Sequence, residues 1–150
     1  MRTYLVVIDE TQESSIALRF AARRAVKTGG GVEILALIPP TEFTAFAGIQ
    51  ATIEEEARQH AEGLVTAAAG TLLQESGLKP ALTVRQGEGP KVIRDMIAAN
   101  PDIAALVLAA AASGVPGPLV AHFAGADAAL PIPLMIIPGS LDREAIDRLS

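Results

Sequence analysis

A chain of 150 residues with a net charge of −5 has no basic surplus to offer a nucleic acid, and without cysteine it excludes disulfides, thiolate chemistry and cysteine-bound metal. Half of the residues are hydrophobic but only Tyr4 and four Phe are aromatic, so the core has to be built from Ala, Val, Leu and Ile. At this length a single domain, residues 1–150, is expected.

The first element is Tyr4–Ile8, an apolar run without polar alternation that reads as a strand buried on both faces of a parallel sheet. Asp9, Glu10 and Thr11 turn the chain into a helix over Glu13–Lys27. Its apolar side is Ile16, Ala17, Phe20, Ala21 and Ala25, and Gly29–Gly31 stop it. Val32–Ile38 is a second strand, closed by Pro39 and Pro40. Thr41–Ala51 has weak periodicity and reads either as a flap over the sheet end or as the approach to the next helix. Ile53–Ser76 is helical, with Ala57, Ala61, Leu64, Val65, Ala68, Leu72 and Leu73 on one side and glutamates at its positive end. Leu82–Arg85 alternates and reads as a short, more exposed third strand. Pro90 opens a helix to Ala99, and Ile103–Leu108 is a fourth, buried strand. A loop rich in Ala and Gly then leads through Leu119–Ala129 to the fifth strand, Pro133–Ile137, whose prolines place it at a sheet edge or at its entry there. Ser140 or Asp142 caps a terminal helix.

Strands alternating with helices predict a doubly wound α/β domain with a five-stranded parallel sheet and helices on both faces. In such sheets ligands bind outside the carboxyl ends of the strands, where the order reverses. Asp9 closes the first strand at that level, and reads either as a ligand-contacting carboxylate or, with Thr11, as a helix cap. His60 and His122 have no metal-ligand spacing around them. No Ser–His–Asp order and no paired catalytic carboxylates can be picked out, so the chain reads as a non-enzyme. No apolar run approaches the roughly 20 residues of a membrane span, and no signal peptide precedes Tyr4. The expectation is a soluble, cytoplasmic protein without membrane or nucleic-acid partners.

YLVVIDETQESSIALRFAARRA resembles the opening of a universal stress protein, and the likeness continues through VEILALIPP, LTVRQGEGPKVIRDMIA, PDIAALVL and PIPLMIIPG. The resemblance implies the strand order 3-2-1-4-5 of a Rossmann-like, adenine nucleotide alpha hydrolase-like fold. It also implies a homodimer made partly through the last strand. In one large branch it implies ATP at the ends of strands one and four, and Asp9 then matches the ribose contact while Ala36 and Leu37 flank the adenine. That branch carries a phosphate signature: Gly, two residues, Gly, nine residues, Gly, then Ser or Thr. Here Ala109, Ala112 and His122–Phe123 occupy those positions, and none matches. A shifted register finds Gly114 and Gly117 beside Ser113, but Gly125 then comes two residues early. Pro116 and Pro118 remove two N–H donors from the loop.

The matched nucleoside half makes ATP or AMP, with Mg²⁺ between phosphate and carboxylate, the cofactors to consider. No Lys or Arg lies between Arg94 and Arg143, so cations for a polyphosphate would have to come from Arg23–Lys27 or a partner subunit. The favoured reading is a regulatory or interaction protein of the stress response that binds ATP weakly or not at all, with the loop facing an unknown protein partner. The alternative is an ATP- or AMP-binding stress regulator using Asp9 and the Ser113–Pro118 loop.

Overall fold

The computed structural model describes residues 1–40, 47–125 and 129–150. Five parallel strands, β1 (Thr3–Ile8), β2 (Gly31–Ile38), β3 (Ala81–Gln86), β4 (Ile103–Ala110) and β5 (Leu134–Pro138), lie in the order β3-β2-β1-β4-β5. Between them run α1 (Gln12–Thr28), α2 (Ala47–Ser76), α3 (Gly89–Ala99) and α4 (Pro118–Phe123), and α5 (Arg143–Leu149) follows β5. This is the doubly wound α/β fold and strand order expected from the sequence.

The layering follows from alternation along β1, whose six residues are all buried. Tyr4, Val6 and Ile8 join the core beneath α1 and α2, whereas Leu5 and Val7 join the core beneath α3 and α4. The chain winds outward in one direction through β1-β2-β3 and in the other through β4-β5. The strand order therefore reverses between β1 and β4, and the carboxyl ends of these two neighbours open a crevice. α1 fits against the sheet because Ala17, Ala21 and Ala25 keep its buried stripe thin. Gly29 ends α1 at φ 68°, a conformation that favours glycine.

Several boundaries differ from the sequence reading. Residues 47–51 of the doubtful stretch extend α2 at its start, while residues 41–46 lie outside the described residues. Leu73 is 45% exposed, because α2 turns a narrow stripe of Ala61, Val65, Ala68 and Leu72 toward the sheet. β4 runs two residues further than expected, since Ala109 and Ala110 pair with Ile137 and Pro138 of β5. Pro133 stands at the entry to β5: lacking an N–H, it offers only its carbonyl, which accepts from Leu106 N–H at 3.0 Å. The connecting segment after the loop is a helix only to Phe123, and residues 126–128 lie outside the described residues. Asp142, not Ser140, caps α5 by accepting from Ala145 N–H at 2.8 Å. No helix among the described residues is long and apolar enough to cross a membrane.

Candidate functional site

Asp9 follows the last residue of β1, so its carboxylate emerges at the mouth of the crevice. Its Oδ1 accepts from Thr11 N–H at 2.8 Å and from the Thr11 hydroxyl, which folds the turn into α1. Thr11 occupies the cap position of α1 but makes no side-chain cap bond there, because its hydroxyl is spent on Asp9. Ser14 locks the same turn, donating to the carbonyls of Thr11 at 2.9 Å and Asp9 at 3.1 Å. Asp9 is thus not the helix cap proper. Asp9 is exposed, and among the described residues no donor reaches its second oxygen.

Three clefts meet at Asp9. One, of about 340 Å³, lies between the ends of β1 and β2 and the flank of α2; Leu37, Pro39 and Ala57 form its apolar wall. A contact between the Glu10 carboxylate and His60 Nε2 bridges its rim. The second, of about 140 Å³, lies between β1 and β4 and is bounded by Glu13, Ala109, Pro116, Gly117 and Pro118. The third, of about 220 Å³, runs between α1 and α2 past Ser15, Arg19, Thr71 and Glu75.

The structure therefore brings together Asp9, Ala109 and Gly117 at one cleft and Asp9 with Leu37 at another. Ala36 lines neither. It is 1% exposed and turned into the core beneath α1 and α2, one residue out of phase with Leu37. Ser113 and Gly114 sit on the exposed part of the loop, away from the β1–β4 cleft. Gly114, at φ 76°, and Gly117, at φ 119°, serve the turns of that loop. Ala111 N–H closes the loop by donating to the Pro116 carbonyl at 3.1 Å. Glu13 also lines this cleft and is not singled out by the sequence, since an acid in the first turn of a helix carries no special signal and only the fold brings it here.

Arg23 and Lys27, considered above for a phosphate, and Arg19 beside them are committed to α5 and α2. Arg19 holds Asp147 of α5 through two parallel bonds of 2.9 and 2.8 Å, and Glu75 of α2 at 3.0 Å. The hydrogen bonds from Arg19 hold the Asp147 carboxyl below the ordinary aspartate range, and the same contact raises the Arg19 guanidinium. Arg23 donates to Ser150 Oγ at 3.2 Å, and Lys27 to the main-chain oxygen of Ser150 at 2.7 Å. These side chains tie α1 to α5 rather than reach the strand ends.

A family model, "Universal stress protein family", matches residues 1–125. The chain belongs to the universal stress protein family. No curated protein matches it. Among solved structures, universal stress protein UspA from Lactobacillus plantarum is similar at a TM-score of 0.76 and 17% identity, covering 91% of this chain and 97% of that one. The universal stress protein from Archaeoglobus fulgidus in complex with dAMP has a TM-score of 0.63 and 20% identity, with 91% and 98% covered. A universal stress protein family protein from Arabidopsis thaliana with AMP bound has a TM-score of 0.60 and 14% identity, with 92% of each chain covered. At these identities the structural likeness establishes the fold.

Proposed function

We propose that this universal stress protein is a non-catalytic, cytoplasmic regulator of the stress response that binds the nucleoside part of an adenine nucleotide at Asp9 and holds a polyphosphate weakly or not at all. The observation that carries this reading is the free Asp9 oxygen at the junction of an apolar cleft with a cleft poor in donors. An adenine would lie against Leu37 and Pro39, and its ribose hydroxyls would donate to Asp9. Relatives solved with AMP and dAMP support the choice of base.

The phosphate half fits poorly. Proline stands at 116 and 118 and the loop spends Ala111 N–H on itself, so three main-chain donors are lost to a phosphate, and no Lys, Arg or His among the described residues lines the β1–β4 cleft. Among the described residues no cluster of three acidic, His or Cys side chains could hold a metal, so Mg²⁺ would depend on Asp9 and the phosphates themselves. Calorimetric titration should give ATP a dissociation constant in the high micromolar range or weaker, and Asp9→Ala should weaken nucleoside binding about tenfold or more, the worth of a hydrogen bond to a charged group. A sub-micromolar ATP constant refutes the reading.

A second reading assigns the exposed loop of residues 111–117 to a protein partner, because Val115 is 79% exposed at its tip. Either reading is compatible with a homodimer through the β5 edge, which we also propose.

A further inference from the structure

We infer that the site, on the nucleoside reading above, selects by charge: it accepts an adenine nucleoside whose 5′ end is neutral or cationic and turns away a 5′-phosphate, with Glu13 as the discriminating side chain. Asp9 lies at the junction of the two strand-end clefts. A base against Leu37 leaves the ribose at Asp9, and a 5′ substituent that continues along the strand ends enters the β1–β4 cleft, while Arg19 of the third cleft is held by Asp147 and Glu75. That cleft is small, about 140 Å³, and it already holds two carboxylates, Asp9 and Glu13. No Lys, Arg or His among the described residues lines it.

The positive end of α1 would ordinarily draw an anion to this place. Here the chain supplies the anion itself, since Glu13 sits in the first turn of α1 and is only partly exposed. Its stem is held from behind by Gly139. A Cβ at position 139 would come within 3.0 Å of Glu13 Cβ and 2.4 Å of the Ala110 carbonyl, so this close approach needs glycine. Gly139 spends its own N–H on that carbonyl at 2.8 Å, and Ala111 spends its own on Pro116. A phosphate would meet two negative charges and no cation, whereas a 5′-hydroxyl or 5′-ammonium would meet acceptors.

The test is a charge series titrated into the full chain at low salt: ATP, AMP, adenosine and 5′-amino-5′-deoxyadenosine, each with and without Mg²⁺. Affinity should rise along that order, with about tenfold or more between AMP and adenosine, the scale of one charge pair a few ångströms apart in water-like surroundings. Glu13→Gln should compress the series, chiefly by strengthening AMP and ATP, and raised salt should compress it in wild type. Equal affinities across the series, or an ATP or Mg²⁺-ATP constant tighter than that of adenosine, would overturn the inference while leaving adenine binding standing. Failure of all four to bind removes the nucleoside reading, and the charge selection with it. An unchanged series in Glu13→Gln would show that the loop, and not Glu13, does the selecting.

Discussion

Arg19 shows how a single side chain decides what the rest of α1 is available for. Its two parallel bonds to Asp147 and its contact with Glu75 join α1, α2 and α5 at one point, with Arg143 adding a second bond to Glu75 at 3.3 Å. The consequence for pH follows from the direction of the Asp147 shift. The folded carboxyl titrates below its ordinary value of 3.8, so the pair's stabilisation is present in full above that value. It is lost as pH falls through the lowered folded value, where wild type comes to resemble a variant without the charge. Asp147→Asn should accordingly melt at a lower temperature than wild type near neutral pH, and the gap should close in strong acid. Thermal unfolding followed at several pH values measures this, and a gap that widens in acid would contradict the assignment. The effect should be modest, because both partners keep part of their surface in water.

At the scale of elements, β5 is the strand with unfinished business. It pairs with β4 on one side only, so the N–H and C=O groups along its outer edge are open. No charged residue between Ala128 and Gly139 guards it. Ile137 is buried and Met135 packs against the core beneath α1, while Ile136, on the opposite face, is 38% exposed. Antiparallel pairing with a two-fold copy would satisfy the edge and cover Ile136. Ile136→Lys should then give a folded monomer in light scattering at concentrations where wild type is dimeric. Met135→Lys should instead lower stability, since it drives a charge toward the core. A wild-type protein that is monomeric at tens of micromolar would end the proposal. The edge position itself was readable from Pro131 and Pro133, because a residue without an N–H cannot serve a central ladder. The face that each side chain takes was not readable, because Leu134–Ile137 is apolar throughout and alternation leaves no mark in such a run.

Taken whole, the molecule is legible where burial dictates residue type and obscure where geometry does. Tyr4–Ile8 and Ile103–Leu108 announce adjacent central strands because covering both faces with helices demands unbroken apolar sequence. The position of Asp9 at the strand end is legible because it follows such a strand. The position of Glu13 is not, since only the winding of the sheet brings the first turn of α1 beside the β4 end. Ala109 was read as a loop residue and lies inside β4, because the pull of the β5 ladder is invisible in an alanine run. That overrun bears on any attempt to transplant a phosphate-gripping loop into this chain. Glycines introduced at 109 and 112 would supply the missing letters of the signature without the missing shape. Ala109 and Ala110 are stitched to Ile137 and Pro138, and Gly139 clamps the Ala110 carbonyl, so the backbone at 109 cannot peel away to curl around an anion. The Ala109→Gly, Ala112→Gly double variant should gain no measurable ATP affinity in the titration that reads wild type, and should melt earlier for the loss of two strand and loop side chains. Recovering a triphosphate grip would take a shorter fourth strand, which means re-cutting the seam between β4 and β5 and disturbing the edge on which the proposed pairing of two copies depends.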